Sequence, residues 1–333
     1  MAAKKAVRFL LLGVLLLAGA NILLPSVQAA VMRDNTGFSY INFEGIKYYR
    51  AYDIARYMRL RLNKLNSYYE MYGSAGRMVF NPKKRYGSFN GVVINYDFNP
   101  VEHGGELYIS SADFFNHVQV LFNPLALKPV GVRTILIDPG HGGKDQGAAG
   151  VRSKEKDLTL QIALKLYRRL KNMGYQVYLT RVNDRNLELS DRAQACNSIK
   201  ADLFISIHMN AAVNHSVRGI ETFALTAAGS PSSGAKKIEY SQYPGNAAQA
   251  NSYALAWNVQ NALVKNLRNS DRGVKHARFV VLRETRCPAI LVECGFISNR
   301  LDEQLLVNGI YQEQLAASIA AGVYNYHKLL QKR

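Results

Sequence analysis

Residues 134–143 read Thr-Ile-Leu-Ile-Asp-Pro-Gly-His-Gly-Gly. A short apolar run cut off by Asp-Pro-Gly is the pattern of a buried strand that stops abruptly. His141 stands just past the stop. Working outward, residues 154–172 put Leu158, Ile162, Leu166 and Leu170 on one stripe at helical spacing, with Gly174 suited to end the helix. Residues 175–180 return as a strand, 190–198 as a helix that Ser190 can cap, and 203–208 as the next strand. Further strands are expected at 219–224, 279–282 and 289–292, with helices at 246–269 and 311–330. Strands alternating with helices predict an α/β fold, a parallel or mixed sheet flanked by helices. No internal repeat is evident.

Four chemically capable residues fall at the ends of these elements. His141 and His208 close two strands, Glu293 closes Ala289-Ile290-Leu291-Val292, and Glu155 opens the 154–172 helix. In open α/β sheets the crevice at the carboxyl ends of the strands holds ligands. Two imidazoles and one carboxylate, with a fourth position left to water, make a hydrolytic zinc site. The other carboxylate is then free to handle protons.

Each of these residues also has a plainer reading. Glycines around His141 could serve only a turn, Glu155 could complement the helix dipole, and Ser-Ile-His-Met-Asn could hold a core histidine. Glu293 is hardest to explain that way, because an unpaired carboxylate ending an apolar strand is costly unless it meets a metal, a donor or solvent. Arg181, Asp184 and Arg192 read as a salt-bridged loop that positions a strand end. Arg283, just past the expected 279–282 strand, could face the cleft and pair with a substrate carboxylate. Glu221 is a candidate neighbour of the ligands, and no metal role is expected for His103, His117, His215, His276 or His327.

The rest of the chain bounds the context. Lys4, Lys5 and Arg8 precede an uncharged apolar run over residues 9–24, and Val27-Gln28-Ala29-Ala30 offers a cleavage site, so residues 1–30 read as a signal peptide and the mature chain as exported to the periplasm or cell envelope. The alternative is an uncleaved membrane anchor. Removal of the signal leaves no transmembrane segment. The formal charge is +18, three units of it in that leader, and the excess favours anionic partners. The basic residues are scattered and form no recognised nucleic-acid motif, so an anionic envelope polymer fits better than nucleic acid. Cys196, Cys287 and Cys294 lack a CxxC spacing, which indicates neither a disulfide framework nor a cysteine zinc site. Cys294 should face away from Glu293, its neighbour in the strand.

Residues 31–126 are rich in Tyr and Phe and read as a small α+β module: a strand at 39–43, a helix over 52–65, strands at 92–96 and 107–110, and a short helix at 112–117. Residues 127–131 form a linker. Paired strands, a short helix and Gly-Gly-Glu-Leu-Tyr-Ile leading into a second helix make this module similar to the copper amine oxidase N-terminal-like modules of secreted bacterial enzymes. Its aromatics fit core and strand faces, a wall-binding surface being the alternative.

From residue 132 to about 330 the chain carries ILIDPGHGGKDQGAAG, EKDLTLQIALKL, TRVNDRNLELSDRAQACN, ADLFISIHMNAA, GIETF and VLRETRCPAILVECGFISN, in that order. The series resembles the zinc-dependent N-acetylmuramoyl-L-alanine amidases of the amidase 3 type, cell-wall autolysins. The resemblance implies a catalytic domain over residues 132–333 whose sheet has helices on both faces. It also implies His141, Glu155 and His208 as ligands of Zn2+ and Glu293 as the catalytic carboxylate. The substrate it implies is peptidoglycan, cut between N-acetylmuramic acid and L-alanine. Met209 is a mild departure from the family pattern. Some regulated members insert an occluding helix before the strand bearing the catalytic Glu, whereas residues 226–250 here are short and poor helix material, so regulation of that kind is not expected. Two other functions compete: a catalytically idle peptidoglycan-binding protein, and a zinc peptidase acting on the stem peptide. No activator protein is named by the sequence.

Overall fold

The computed structural model describes residues 30–331. The expected signal peptide lies outside the described residues, apart from Ala30. An eleven-stranded sheet organises the molecule. Across it run, in order, Gln176–Leu179, Thr134–Pro139, Leu203–Asn210, Ala289–Phe296, Ile220–Leu225, Asp271–Ala277, Val92–Asn95, Tyr86–Phe89, Gly76–Phe80, Tyr68–Gly73 and Arg61–Leu65. The first four are mutually parallel, Ile220–Leu225 runs antiparallel to Ala289–Phe296, and Val92–Asn95 joins Asp271–Ala277 in parallel. A meander of antiparallel hairpins completes the edge. A five-stranded sheet built from Met32–Arg33, Ser39–Phe43, Ile46–Arg50, Glu106–Ser110 and Val101–His103 packs beside it.

Period-two alternation sends successive strand residues to opposite faces. Ile135, Ile137, Ile205, Ile207, Ile290 and Val292 pack with helices Glu155–Asn172, Gln249–Leu267 and Gly309–Gln331. Leu136, Phe204, Leu291 and Phe223 face the other way, onto Cys196, Val281 and Leu282 from helices Leu189–Ser198 and Val280–Glu284. Both faces of the sheet are therefore covered, as the resemblance implied.

Several elements differ from expectation. The helix expected over 52–65 spans only Ala51–Tyr57, because Arg59 adopts a left-handed φ of 57° and Arg61–Leu65 departs as a strand. The apolar run at 279–282 is a helical turn, Val280–Glu284, since a short apolar run looks alike in either state. The strand that lies nearby is Asp271–Ala277, whose Arg, Lys and His hid it from a hydrophobicity reading.

The expected linker at 127–131 is not a gap in packing. Strands from residues 61–95 continue the same sheet, Phe89 packs edge-on against Trp257 and Phe122, and one apolar core runs from Phe38 to Leu330.

Candidate metal and catalytic site

The loop after Thr134–Pro139 is built to present a histidine. Gly140 closes against Ile207 with a backbone hydrogen bond of 3.0 Å, and a Cβ there would lie 2.3 Å from the His208 ring. His141 adopts φ 60°, and Gly142 and Gly143 also have positive φ, so the backbone curls back on itself. Two buried arginines fix the carbonyls that the curl leaves inside. Arg181 donates to Pro139 O at 3.0 Å and Gly140 O at 2.8 Å, while Arg192 donates to Asp138 at 2.8 Å and to His141 O at 2.9 Å. Asp184 accepts from Gly143 N and from Lys156. The charged residues of this loop thus position the strand end, in line with the sequence reading.

Glu155 is the first residue of its helix, and its side chain turns back toward that loop. Its Oε2 accepts from Ala148 N at 2.8 Å, and its Oε1 accepts from Met209 N at 3.0 Å. The same Oε1 meets His141 Nε2 at 3.1 Å and His208 Nδ1 at 2.9 Å. The two rings lie 5.0 Å apart at 78°, and the ligand-type atoms of all three residues lie within 4.8 Å of one another. Burial alone would raise the Glu155 carboxyl, but the hydrogen bonds from His141 and His208 outweigh it and hold the group well below the usual carboxylate range. For His141, burial would lower the imidazole, yet Glu155 and then Asp145 raise it. Asp145 bonds His141 Nδ1 at 2.8 Å, fixing the tautomer that leaves Nε2 toward Glu155.

His208 and Glu293 are register partners on adjacent parallel strands, and Glu221 pairs with Glu293 from the other side. Glu293 is buried, and its Oε2 has no hydrogen-bond partner. Burial, then the nearby Glu155 and Glu221 charges, push its carboxyl well above the ordinary value. Glu221 is compensated by Arg272 at 2.9 Å, Lys275 at 2.5 Å and Asn210 at 2.7 Å. Sequence reading missed Asp145, Arg272 and Lys275. The first was findable four residues after His141; the other two lay in the unrecognised strand.

These residues fit a divalent metal. Two imidazole nitrogens and a carboxylate oxygen converge, Asp145 backs one imidazole as metal-ligating histidines require, and an unpartnered carboxylate oxygen lies alongside. Arg283 does not join the group. It lies on the helical turn before Ala289–Phe296, at the end of the sheet opposite His208, and its guanidinium stacks over Tyr243 at 5.1 Å.

A doubly covered α/β sheet carrying a His-Glu-His cluster at its strand ends is the framework of a metal-site hydrolase domain. The profile of the N-acetylmuramoyl-L-alanine amidase family matches residues 135–325, and the chain belongs to that family. It is 36% identical over 200 residues to N-acetylmuramoyl-L-alanine amidase LytC of Bacillus subtilis (strain 168), covering 60% of this chain and 36% of LytC. The chain therefore spans about a third of that relative's length. Among solved structures, the N-acetylmuramoyl-L-alanine amidase of Clostridium difficile 630 is 38% identical, with a TM-score of 0.50 over 59% of this chain and 96% of that one. AmiC2 of Nostoc punctiforme is 35% identical, with a TM-score of 0.51 over 60% of this chain and 99% of that one.

Proposed function

We propose that this protein is an exported zinc hydrolase that cleaves the amide between N-acetylmuramic acid and L-alanine of peptidoglycan. The observation that carries the reading is a buried Glu293 oxygen without a partner beside a convergent His141–Glu155–His208 set. Family membership supports the bond and the polymer. The leader-like sequence of residues 1–30 supports export, and among the described residues no helix is long and apolar enough to cross a membrane.

His141 Nε2, His208 Nδ1 and Glu155 Oε1 would hold the ion. Zinc supplies Lewis-acid polarisation of the scissile carbonyl and acidification of water. Glu293 takes a proton from the attacking water at its free Oε2 and returns it to the departing amide nitrogen, so no covalent enzyme intermediate is needed. Asp145 keeps His141 in the ligating tautomer, and Lys275 with Arg272 neutralises Glu221, leaving Glu293 as the carboxylate free to exchange a proton.

Digestion of purified peptidoglycan with the full chain, followed by product mass analysis, tests the reading. Free stem peptides beginning with L-alanine, and glycan strands with an unsubstituted lactyl carboxylate, are expected. Cleavage within the stem peptide would identify a peptidase instead, and intact sacculi an idle binding protein.

A further inference from the structure

A second histidine pair lies inside the molecule, away from the site above. His117, in the helical stretch Phe114–Val118, and His276, in strand Asp271–Ala277, face each other with Nε2 atoms 3.2 Å apart. Asp97, 1% exposed, completes a set whose ligand-type atoms lie within 4.8 Å of one another. Lys275 points toward Glu221 on the candidate catalytic face, so His276, the next residue, faces the other side of the sheet.

The convergence of three buried ligand-type side chains suits a bound cation. Asp113 accepts from Asp97 N, Phe98 N and Ser110 Oγ, so it meets His117 Nδ1, at 2.8 Å, as a carboxylate acceptor. In the neutral ring, His117 Nε2 is then left with a lone pair, the form that ligates a metal. If His276 Nε2 donates to it, His276 Nδ1 keeps a lone pair, yet that atom is buried without any partner. The Tyr253 hydroxyl is also buried and unpartnered, while its ring stacks on His276 at 5.4 Å. Two metal–nitrogen bonds of ~2.0–2.1 Å opened to a tetrahedral angle separate their nitrogens by about 3.3 Å, close to the spacing present. A carboxylate behind a histidine, as Asp113 is behind His117, is the usual support of a zinc ligand.

We propose that Asp97, His117 and His276 form a second zinc site, with the fourth position left to water. Its position explains its use. Ile94 and Val274 are the registered pair that joins the two halves of the large sheet, and Asp97 and His276 follow them by three and two residues. The ion would pin the N-terminal strands to the amidase sheet where the backbone joint is narrowest.

Zinc quantitation on the untagged full chain after gel filtration decides the matter. Two zinc per chain are expected in the wild type, one in His141→Ala/His208→Ala, and one in His276→Gln or, should that variant not fold, in Asp97→Asn. Chelation should lower the thermal midpoint of the folded His141→Ala/His208→Ala protein. One zinc in the wild type that His141→Ala/His208→Ala loses would overturn the proposal, as would two zinc retained by both His276→Gln and Asp97→Asn. A single zinc that survives His141→Ala/His208→Ala and is lost in Asp97→Asn would instead keep this site and refute the catalytic ligand set.

Discussion

At the scale of single residues, the site depends on what is absent at Gly140 as much as on what its ligands offer. A Cβ at Gly140 would fall 2.3–2.7 Å from three atoms of the His208 ring, so the ring must move if one is added. Gly140→Ala is therefore expected to fold, because the change is small and at a loop. It should nevertheless lose about 10²-fold in turnover through misplacement of the ligand. Steady-state cleavage of soluble muropeptides together with zinc content checks this. Wild-type rates would show that His208 has room the structure does not give it.

At the scale of elements, the strand ends are held by buried charge. Arg192 pairs with Asp138, and both are almost wholly buried. Asp138 also accepts from Thr180 and Ser206 on the two flanking segments. Removing the guanidinium leaves a buried carboxylate without its counter-charge, which costs ~3–5 kcal/mol. Arg192→Met should show that loss in denaturant unfolding, whereas a change within about 0.5 kcal/mol would mean that the pair contributes little.

The same elements show what the sequence could disclose. His141, His208 and Glu293 stood out in the sequence because each follows an unmistakable apolar run, and the carboxyl ends of such runs converge in an α/β sheet. Strand Asp271–Ala277 was not legible, because its polar residues are consumed internally: Arg272 and Lys275 by Glu221, His276 by His117. The hairpins over 61–89 were hidden likewise, since charged residues stand among their aromatics, Lys64 pairing with Glu102 and Arg77 with Glu70. Arg283 was misplaced for a related reason: its apolar neighbours form a helical turn, which carries it to the far end of the sheet.

At the scale of the whole molecule, the N-terminal strands and the amidase-family region share one sheet and one core. A chain beginning at residue 128 would lose Phe89 from against Trp257, together with Phe122 that packs on Phe89, and expose the edge of Asp271–Ala277. Two buried phenylalanines contribute about 3–6 kcal/mol. Its thermal midpoint should accordingly fall by on the order of 10 °C relative to the full chain. Equal midpoints in calorimetry would mean that residues 30–127 are a separable attachment.

The central claim is the division of labour among four side chains: His141, Glu155 and His208 hold zinc, and Glu293 moves the proton. Glu293→Gln tests it most directly, because the amide nearly preserves shape and cannot take up a proton. Zinc content and peptidoglycan-cleavage rate should be measured on the same preparation. The account predicts wild-type zinc with turnover lower by ~10²–10⁴-fold. Loss of zinc from that variant, or retention of zinc with undiminished turnover, would contradict it.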